Sequence, residues 1–255
     1  SLEVTQLLED APVALAGFLP ASDGGAEAPP LPERIGRYEV IRPLGSGGFG
    51  WVYLAYDPLL KRQVAIKVPR HDLVLSPAAR ERFLSEACIL ASLEAYTGIV
   101  PVYDVGMTND GVAYVVSRFV DGRDLSRVNR SSLSVARCIE IVAEVADALQ
   151  AAHDKQIVHR DVKPANILLD QFGKPVLADF GIALQDGDPA EATRARGTLR
   201  YASPEQLRGE GHLVDHRSDV FSLGVVFYEL LTGAAPFADS RIFEDRDFEV
   251  VPLRQ

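Results

Sequence analysis

The stretch HRDVKPANILL, residues 159–169, places Asp161, Lys163 and Asn166 within six positions. An apolar run follows them and predicts a buried strand. A polar turn before a strand is one interpretation. The other is a loop on which these side chains together serve a nucleophile, a phosphate and a metal ion. The rest of the sequence decides between the two.

A second carboxylate that can bind a metal ion stands in Asp179-Phe-Gly181. It follows the β-type segment Val176-Leu-Ala, which predicts that Asp179 lies at a strand end. If its carboxylate and the amide oxygen of Asn166 converge, they suit Mg²⁺, which prefers such ligands together with phosphate oxygens. An ordinary Asp-x-Gly turn is the alternative interpretation.

Three glycines, Gly45, Gly47 and Gly50, are spaced as G-x-G-x-x-G between two β-type segments. In a dinucleotide-binding unit this pattern opens a helix. Here the β-type residues Trp51 and Val52 follow, which argues against such a unit. A glycine-rich loop between strands can approach phosphates closely because glycine has no Cβ. A glycine-rich hairpin turn is the alternative.

Lys67 ends the segment Val64-Ala-Ile-Lys67, whose other residues are apolar. An ammonium group in such surroundings needs a partner, because an isolated buried charge is costly. Glu86 lies in the first predicted helix, and its carboxylate would neutralise Lys67 and hold it toward a phosphate. A solvent-exposed helix face is the alternative interpretation for Glu86.

The composition narrows the class of protein. The 255 residues, 47% hydrophobic and 24% charged, suit one large or two-lobed globular domain. A net charge of −10 argues against nucleic acid or an anionic membrane as the main partner. No apolar run approaches the roughly 18 residues of a membrane span, which favours a cytoplasmic location for this stretch. Cys88 and Cys138 lack a C-x-x-C spacing and are predicted to be buried, reduced thiols.

The order of predicted elements indicates an α+β fold with two lobes. Residues 1–36 are rich in Gly, Ala and Pro and predict a flexible linker. Residues 37–120 predict an antiparallel sheet with one helix, and residues 121–255 a mainly helical lobe, with a ligand site in the cleft between them. The predicted strands are 38–44, 51–56, 64–69, 100–105 and 113–119. The first predicted helix begins at Ser76-Pro77, and two more span 134–153 and 219–231.

Six motifs occur together in the order and approximate spacing of the protein kinase family. They are GSGGFGWV, VAIK, HRDVKPAN, DFG, GT(x)₄SPE and SDVFSLGV, and they cover roughly residues 37–240. The chain thus resembles a protein kinase. Lys163, two residues after Asp161, makes it more similar to bacterial-type serine/threonine kinases than to tyrosine kinases. The resemblance implies a two-lobed fold that binds ATP and two Mg²⁺ ions and phosphorylates Ser and Thr hydroxyls of proteins.

The same resemblance answers the question that residues 159–169 raise. Asp161 accepts or orients the proton of the substrate hydroxyl, and Lys163 steadies the transferring phosphoryl group. Asn166 and Asp179 bind the Mg²⁺ ions. The transfer requires little covalent chemistry of the protein, so positioning and charge neutralisation dominate.

The resemblance also implies the nucleotide site. Lys67, held by Glu86, contacts the α- and β-phosphates, and Thr198 contacts Asp161 and Lys163. The other matched positions are Gly45, Gly47 and Gly50 over the phosphates, Val52, Ala65 and Leu168 around adenine, Ser117 as gatekeeper, Arg118 and Val120 in the hinge, and Asp124 near the ribose.

Arg160, beside Asp161, resembles kinases that are switched on by phosphorylation of the segment after Asp179. Among the hydroxyl residues of that segment, Thr193 has no other role in a motif and is closely followed by Arg194 and Arg196. We therefore predict a phosphosite at Thr193, whose dianion would pair with Arg160. The resemblance allows autophosphorylation in trans, for which the partner is a second copy in a dimer.

The chain ends soon after the last predicted helix, whereas family members usually continue with three or more helices. One of those helices carries an arginine that pairs with Glu205, so the C-terminal lobe is expected to be incomplete and Glu205 to lack a partner. A non-catalytic nucleotide-binding scaffold, a pseudokinase, is therefore the main alternative, although Lys67, Asp161 and Asp179 are present. A small-molecule phosphotransferase of related fold is the third hypothesis. The segment 198–205, which docks peptides in the family, argues against it.

Overall fold

The computed structural model describes residues 31–47, 50–69, 77–180 and 199–237. The chain divides into two compact units. One contains the described residues up to Ala91 together with Val102–Phe119, and the other contains Ser92–Pro101 and the described residues from Val120 onward. The first unit is built around a sheet, and the longest elements of the second are helices.

Within the described residues, the sheet of the first unit has six antiparallel strands. They are β1 (Arg34–Ile35), β2 (Tyr38–Gly47), β3 (Gly50–Asp57), β4 (Arg62–Pro69), β5 (Val102–Met107) and β6 (Ala113–Arg118). Their order across the sheet is β1-β2-β3-β4-β6-β5. The helix described in this unit, α1 (Pro77–Ala91), packs against β5 and β6. The predicted antiparallel sheet with one helix is confirmed.

One face of this sheet carries the hydrophobic core. Tyr53 pairs with Ile66, and Ile66 pairs with Val116, so these three side chains share a face. Burial of apolar surface, worth about 25 cal/mol per Å² removed from water, is the main stabilising term here. Residues that alternate with them along the strands point to the other face. The core cluster consists of Ile35, Tyr38, Tyr53, Ala55, Val64, Ile66, Tyr114 and Val116.

A buried carboxylate fixes the turn between β3 and β4. Asp57 Oδ1 accepts the N–H of Leu59 at 3.0 Å and of Leu60 at 3.3 Å, and Arg37 Nη2 lies 3.3 Å from Oδ2. Burial opposes ionisation of Asp57, but the bonds from Arg37 and the two N–H groups outweigh it and lower the pKa of this carboxyl. The turn leads directly into β4, the strand that carries Lys67.

Helical spacing predicts an apolar stripe of Phe83, Leu84, Ala87 and Leu90 on helix α1; Phe83, Ala87 and Leu90 are buried, and Leu84 is half-buried. Cys88 is exposed, so the prediction that it is buried is wrong. Each residue of a helix turns the chain by about 100°, which takes Cys88 off the face that Ala87 buries. Cys138, in the second unit, is buried as predicted.

The second unit combines a small sheet with helices. The strands β7 (Gly122–Asp124), β8 (Ile167–Asp170) and β9 (Pro175–Leu177) pair antiparallel in that order. The described helices of this unit are α2 (Val135–His153), α3 (Pro204–Leu207) and α4 (His216–Thr232). The predicted α+β class is confirmed.

Helix α2 begins where the sequence predicts, because Ser134 Oγ accepts the N–H of Arg137 at 3.1 Å and caps the first turn. The helical spacing of the apolar residues Ile139, Val142, Val145, Ala146 and Leu149 predicts one buried face, and this prediction is only partly correct. Val145 and Leu149 are buried, but Ile139 is 51% exposed. The helix instead turns Cys138, Ile141, Ala148 and Ala152 inward.

Helix α4 is capped at both ends. Asp215 Oδ1 accepts the N–H of Arg217 at 2.8 Å, and Gly233 ends the helix with a φ of +81°. Its apolar residues Leu223, Val225, Val226 and Leu230 are buried, whereas Val220 is 61% exposed. Among the described residues, no helix combines the length and the apolar composition that crossing a bilayer requires.

Candidate active site

Asp161, Lys163 and Asn166 come together around one carboxylate. Asp161 Oδ2 lies 2.7 Å from Lys163 Nζ and accepts a hydrogen bond from Asn166 Nδ2 at 2.9 Å. The same nitrogen of Asn166 donates to the backbone oxygen of Asp161 at 2.8 Å. Asp161 is 6% exposed, and its Oδ1 is buried without a hydrogen-bond partner among the described residues. A buried acceptor with unused lone pairs marks a place where a further donor can bind.

A single turn of 3₁₀ helix, Pro164–Asn166, returns Asn166 to Asp161. Proline suits the start of the turn, because its missing N–H would have no partner there. The N–H of Asn166 donates to the carbonyl of Lys163 at 2.9 Å, and β8 begins at the next residue. The apolar run that predicts a strand therefore anchors the loop.

Arg160 adopts a left-handed backbone conformation, with a φ of +66°. This conformation costs a residue with a Cβ about 1–2 kcal/mol, so other contacts must hold it. Asp219 of α4, only 1% exposed, accepts the N–H of Arg160 on Oδ1 and the N–H of His159 on Oδ2, both at 2.8 Å. His153 Nε2 of α2 lies 2.7 Å from the same Oδ2. Helices α2 and α4 thus set the backbone immediately before Asp161.

The His159 ring is fully buried and holds the loop from the inside. Its Nδ1 accepts the N–H of Asp161 at 3.2 Å, and its Nε2 lies 3.0 Å from the carbonyl oxygen of Ala178. Burial lowers the pKa of His159, and the nearby carboxylates of Asp219 and Asp161 offset this only in part. The neutral ring with its proton on Nε2 satisfies both contacts, since Nδ1 must accept and Nε2 must donate.

Asp179 approaches the loop through the end of β9. The N–H of Ala178 donates to the carbonyl of Asn166 at 2.8 Å, which places Asp179 one residue from that contact. Asp179 is exposed and has a φ of +55°. Because Asn166 uses its amide nitrogen on Asp161, its amide oxygen is the atom left for a cation. A carboxylate and an amide oxygen are hard ligands, so these residues fit Mg²⁺.

Four candidate nucleotide residues of the first unit, Val52, Ala65, Lys67 and Ser117, share the sheet face opposite the core. Val52 pairs with Lys67 and Ala65 pairs with Ser117, and paired residues point the same way. The Ser117 hydroxyl donates a long hydrogen bond, 3.5 Å, to the carbonyl of Ala65. Arg118 follows on the core side, since strand residues alternate.

The glycines of the β2–β3 hairpin differ in what the fold demands of them. Gly50 has a φ of +140°, and a Cβ there would lie 2.1 Å from the carbonyl oxygen of Val68. The fold therefore requires glycine at position 50 whether or not the loop binds phosphate. A Cβ at Gly45 would meet no atom within 4 Å. Gly47 pairs with Gly50 at the tip of the hairpin.

Leu168 and Asp124 pair across β8 and β7 in the second unit, in which Val120 is half-buried. The Asp124 carboxylate is already engaged, because Arg127 Nε lies 3.0 Å from Oδ2 and the Ser126 hydroxyl donates to Oδ1. A ribose hydroxyl at this carboxylate would bind beside these two contacts, because each carboxylate oxygen has a second lone pair.

Three candidate positions lie outside the described residues: the side chain of Glu86, and all of Thr193 and Thr198. The backbone of Glu86 belongs to α1. The pairing of Lys67 with Glu86 and the contact of Thr198 with Asp161 stay predictions.

The family model described as Protein kinase domain matches residues 38–251. This chain belongs to the protein kinase family. Over 210 residues the kinase domain is 46% identical to the serine/threonine-protein kinase PknB of Mycolicibacterium smegmatis, covering 79% of this chain and 33% of that protein. Over 206 residues it is 40% identical to the serine/threonine-protein kinase PrkC of Bacillus subtilis, covering 79% of this chain and 31% of that protein. The chain thus spans about a third of the length of these curated relatives.

Solved structures show the same similarity. The kinase domain of Mycobacterium tuberculosis PknI matches with a TM-score of 0.64 and 32% identity, covering 86% of this chain and 79% of that one. Together these relatives confirm the predicted bacterial-type protein kinase and its two-lobed fold class.

Glu205 of this kinase domain has a partner, so the prediction that it lacks one is wrong. The Ser218 hydroxyl of α4 donates to Glu205 Oε1. Burial opposes ionisation of Glu205, but hydrogen bonding, led by Ser218, lowers the pKa of its carboxyl overall. The sequence gives little sign of this contact, because a serine on a helix is not an obvious counterpart for a carboxylate.

Three residues that fix the kinase loop were not among the predicted site residues: His153, Asp219 and Gln206. Asp219 carried a signal, since a carboxylate inside an apolar helix must find partners. His153 and Gln206 carried none that distinguishes them from ordinary helix residues.

Proposed function

We propose that this kinase domain is an ATP- and Mg²⁺-dependent enzyme that transfers the γ-phosphate of ATP to Ser and Thr hydroxyls of proteins. The observation that carries the proposal is the Asp161 carboxylate. Its Oδ2 is held by Lys163 and Asn166, while its Oδ1 is buried without a partner among the described residues. The names of the two curated relatives support the same reaction.

In the proposed reaction Asp161 Oδ1 accepts a hydrogen bond from the substrate hydroxyl and orients its oxygen toward the γ-phosphorus. A bond forms between that oxygen and the γ-phosphorus, the bond from the γ-phosphorus to the β–γ bridging oxygen breaks, and ADP departs. The hydroxyl proton passes to Asp161. Lys163 neutralises charge on the phosphoryl group during the transfer, and its contact with Oδ2 keeps the ammonium beside the reacting atoms.

Asn166 and Asp179 would hold the metal, with two Mg²⁺ ions in the proposal. When bound, Mg²⁺ neutralises the negative charge of the phosphate oxygens. The double hydrogen bond of Asn166 to Asp161 fixes the amide, so that its oxygen is presented in one direction. The backbone bond from Ala178 to Asn166 brings the second ligand into the same neighbourhood.

The proposed ATP contacts are the family positions that are matched in the sequence. Lys67, with Glu86 as its partner, would contact the α- and β-phosphates. The shared face of Val52, Ala65 and Ser117 supports an adenine site on the sheet. The remaining proposed contacts are Gly45, Gly47 and Gly50 at the phosphates, Arg118 and Val120 through the hinge backbone, Leu168 below adenine, Asp124 at the ribose, and Thr198 beside Asp161.

Neither alternative hypothesis gains support. One argument for the scaffold hypothesis was the expected loss of a partner for Glu205, and Ser218 supplies a partner. The small-molecule hypothesis requires no peptide-docking segment. The described part of that segment packs into the fold. Tyr201 is 8% exposed, and its hydroxyl donates to Glu229 Oε2 at 2.6 Å.

The proposal also includes a cytoplasmic location, phosphorylation of Thr193 and autophosphorylation in trans within a dimer. Two free cysteines are in keeping with a reducing compartment.

The test is the intact mass of the protein, with an added generic Ser/Thr protein substrate, after incubation with Mg²⁺ and ATP. The control is the Asp161→Asn variant. The proposal is supported if the kinase or the added substrate gains mass in steps of one phosphate with the wild-type kinase and not with the Asp161→Asn variant. Absence of steps with a folded wild type that binds ATP would refute it, and phosphate on a small alcohol would favour the small-molecule hypothesis.

A further inference from the structure

The peptide unit between Arg160 and Asp161 is held at both of its polar atoms. The carbonyl oxygen of Arg160 accepts a hydrogen bond from Gln206 Nε2 at 2.7 Å. The N–H of Asp161 donates to His159 Nδ1 at 3.2 Å. A peptide unit is planar, so these two contacts fix the plane from which the Asp161 side chain departs.

Gln206 is oriented by its own partners. Its Oε1 accepts the N–H of Ser203 at 2.9 Å, while its Nε2 donates to Arg160. A backbone carbonyl can only accept and a backbone N–H can only donate, so the amide cannot be turned over without losing both bonds. The side chain is therefore a bridge of fixed direction between α3 and the loop of Asp161.

The segment at the other end of this bridge is itself anchored to α4. The Ser222 hydroxyl donates to the carbonyl oxygen of Tyr201 at 2.7 Å, and the Ser218 hydroxyl donates to Glu205. Segment 199–207 therefore holds Gln206 in place. One hydrogen bond, from Gln206 to the Arg160 carbonyl, links the segment to the loop of Asp161.

Arg160 needs such a support. Its φ of +66° persists only where contacts on both sides hold it. Asp219 holds the N–H of Arg160, and Gln206 holds its carbonyl oxygen. Without Gln206 the peptide unit would keep only the contact of the Asp161 N–H with His159, and the backbone that orients Asp161 would be held less firmly.

We propose that Gln206 is a positioning residue for phosphoryl transfer: through the Arg160 carbonyl it holds Asp161 in its reactive orientation and couples the catalytic carboxylate to segment 199–207. The proposal rests on the function proposed above. Gln206 touches neither the substrate nor the nucleotide in this role, so its loss lowers kcat and leaves the KM for ATP unchanged.

The test compares two substitutions with a matched control. Gln206→Glu keeps the size of the side chain and an acceptor for Ser203, but replaces the donor to Arg160 by an oxygen. Gln206→Met removes both contacts without adding charge, so loss of the Arg160 bond is the change common to both. The control is Gln171→Glu, the same chemical change at an exposed hairpin residue.

We expect both Gln206 variants to lower kcat about tenfold or more, with the KM for ATP within about twofold of wild type. Hydrogen–deuterium exchange should become faster at the amides of residues 159–161 and stay unchanged in α2 and α4. The Gln171→Glu variant should match wild type in all of these measurements.

The exchange measurement separates this inference from the proposed function. If the wild type transfers no phosphate, the proposed function fails, and exchange at residues 159–161 still decides whether Gln206 holds the loop. Unchanged exchange at these amides in both variants overturns the inference, whatever happens to kcat. Equally faster exchange throughout α2 and α4 also overturns it, because Gln206 would then be a general stability residue.

Discussion

Asn166 binds Asp161 twice with one nitrogen, donating to the carboxylate at 2.9 Å and to the backbone carbonyl at 2.8 Å. The two contacts lock the side chain of Asp161 to its own backbone. They also leave Oδ1 as the carboxylate oxygen without a partner among the described residues. One residue thereby orients the proposed base and turns its own amide oxygen toward the proposed metal.

Replacing Asp161 by Asn removes the charge and keeps the shape of the side chain. We expect turnover to fall by about 10²–10⁴, the range for a general base. The affinity for ATP should change little, because Asp161 is not among the proposed ATP contacts. Steady-state kinetics and equilibrium binding of ATP measure the two effects. The exposed Asp147→Asn is the matched control, and wild-type turnover in Asp161→Asn would remove Asp161 from the mechanism.

Replacing Asp179 by Asn should abolish activity that depends on Mg²⁺, since an amide oxygen carries no net charge to hold the ion. The fold should survive, because the Asp179 side chain is exposed. Titration of activity against Mg²⁺ concentration, together with the melting temperature, gives the result. A variant with the Mg²⁺ dependence of the wild type would show that Asp179 is not a ligand.

His159 makes the folding stability depend on pH. Burial lowers its pKa in the folded chain, so the unfolded chain binds the proton at higher pH. Its contribution to stability is fully present above the unfolded pKa of about 6.5 and is lost as the pH falls toward the folded pKa. The free energy of unfolding should therefore decrease below about pH 6.5. Denaturant unfolding at several pH values should show this decrease in the wild type and in His212→Gln, an exposed control, but a weaker one in His159→Gln.

Gln156 is a place where the chain can be stabilised. It lies in the turn after α2, three residues beyond His153, has a φ of +61°, and its side chain is exposed. Glycine removes the left-handed strain, which costs the folded chain about 1–2 kcal/mol. It also gives the unfolded chain more conformational entropy, which lowers the free energy of unfolding by about 0.5–1 kcal/mol. The Gln156→Gly variant should therefore gain about 0.5–1 kcal/mol in denaturant unfolding. Lys155→Gly, at the preceding exposed residue without positive φ, should lose stability; equal effects of the two would contradict the argument.

Thr193 is the proposed phosphosite. The Thr193→Ala variant should lose any activation that follows preincubation with Mg²⁺ and ATP, and peptide mapping should lose one phosphorylated peptide. Basal activity before preincubation should match the wild type. Full activation in the variant would move the switch to another residue.

Local signals predicted most of the fold. The Ser134 cap marks the start of α2, and the alternation of Val64 and Ile66 with Ala65 and Lys67 marks a strand with two different faces. Motif spacing predicted that Asp161, Lys163 and Asn166 would meet. Within one loop, a short turn is enough to bring them together.

Contacts between distant parts of the chain were not predictable in this way. Asp219 and Arg160 meet because α4 packs beneath the loop, and Ser218 reaches Glu205 for the same reason. The sequence also gave no sign that Arg127 and Ser126 occupy the Asp124 carboxylate. Each of these depends on packing geometry that residue types alone do not encode.

The alternation of strand residues in the first unit has a consequence for protein engineering. Val52, Ala65 and Ser117 lie on one face, whereas Tyr53, Ile66 and Val116 of the same strands form the core. A combinatorial library restricted to the first set varies the surface proposed for adenine and leaves the core untouched. Variants with altered nucleotide preference can therefore be selected without destabilising the core, although the varied residues are adjacent in sequence to core residues.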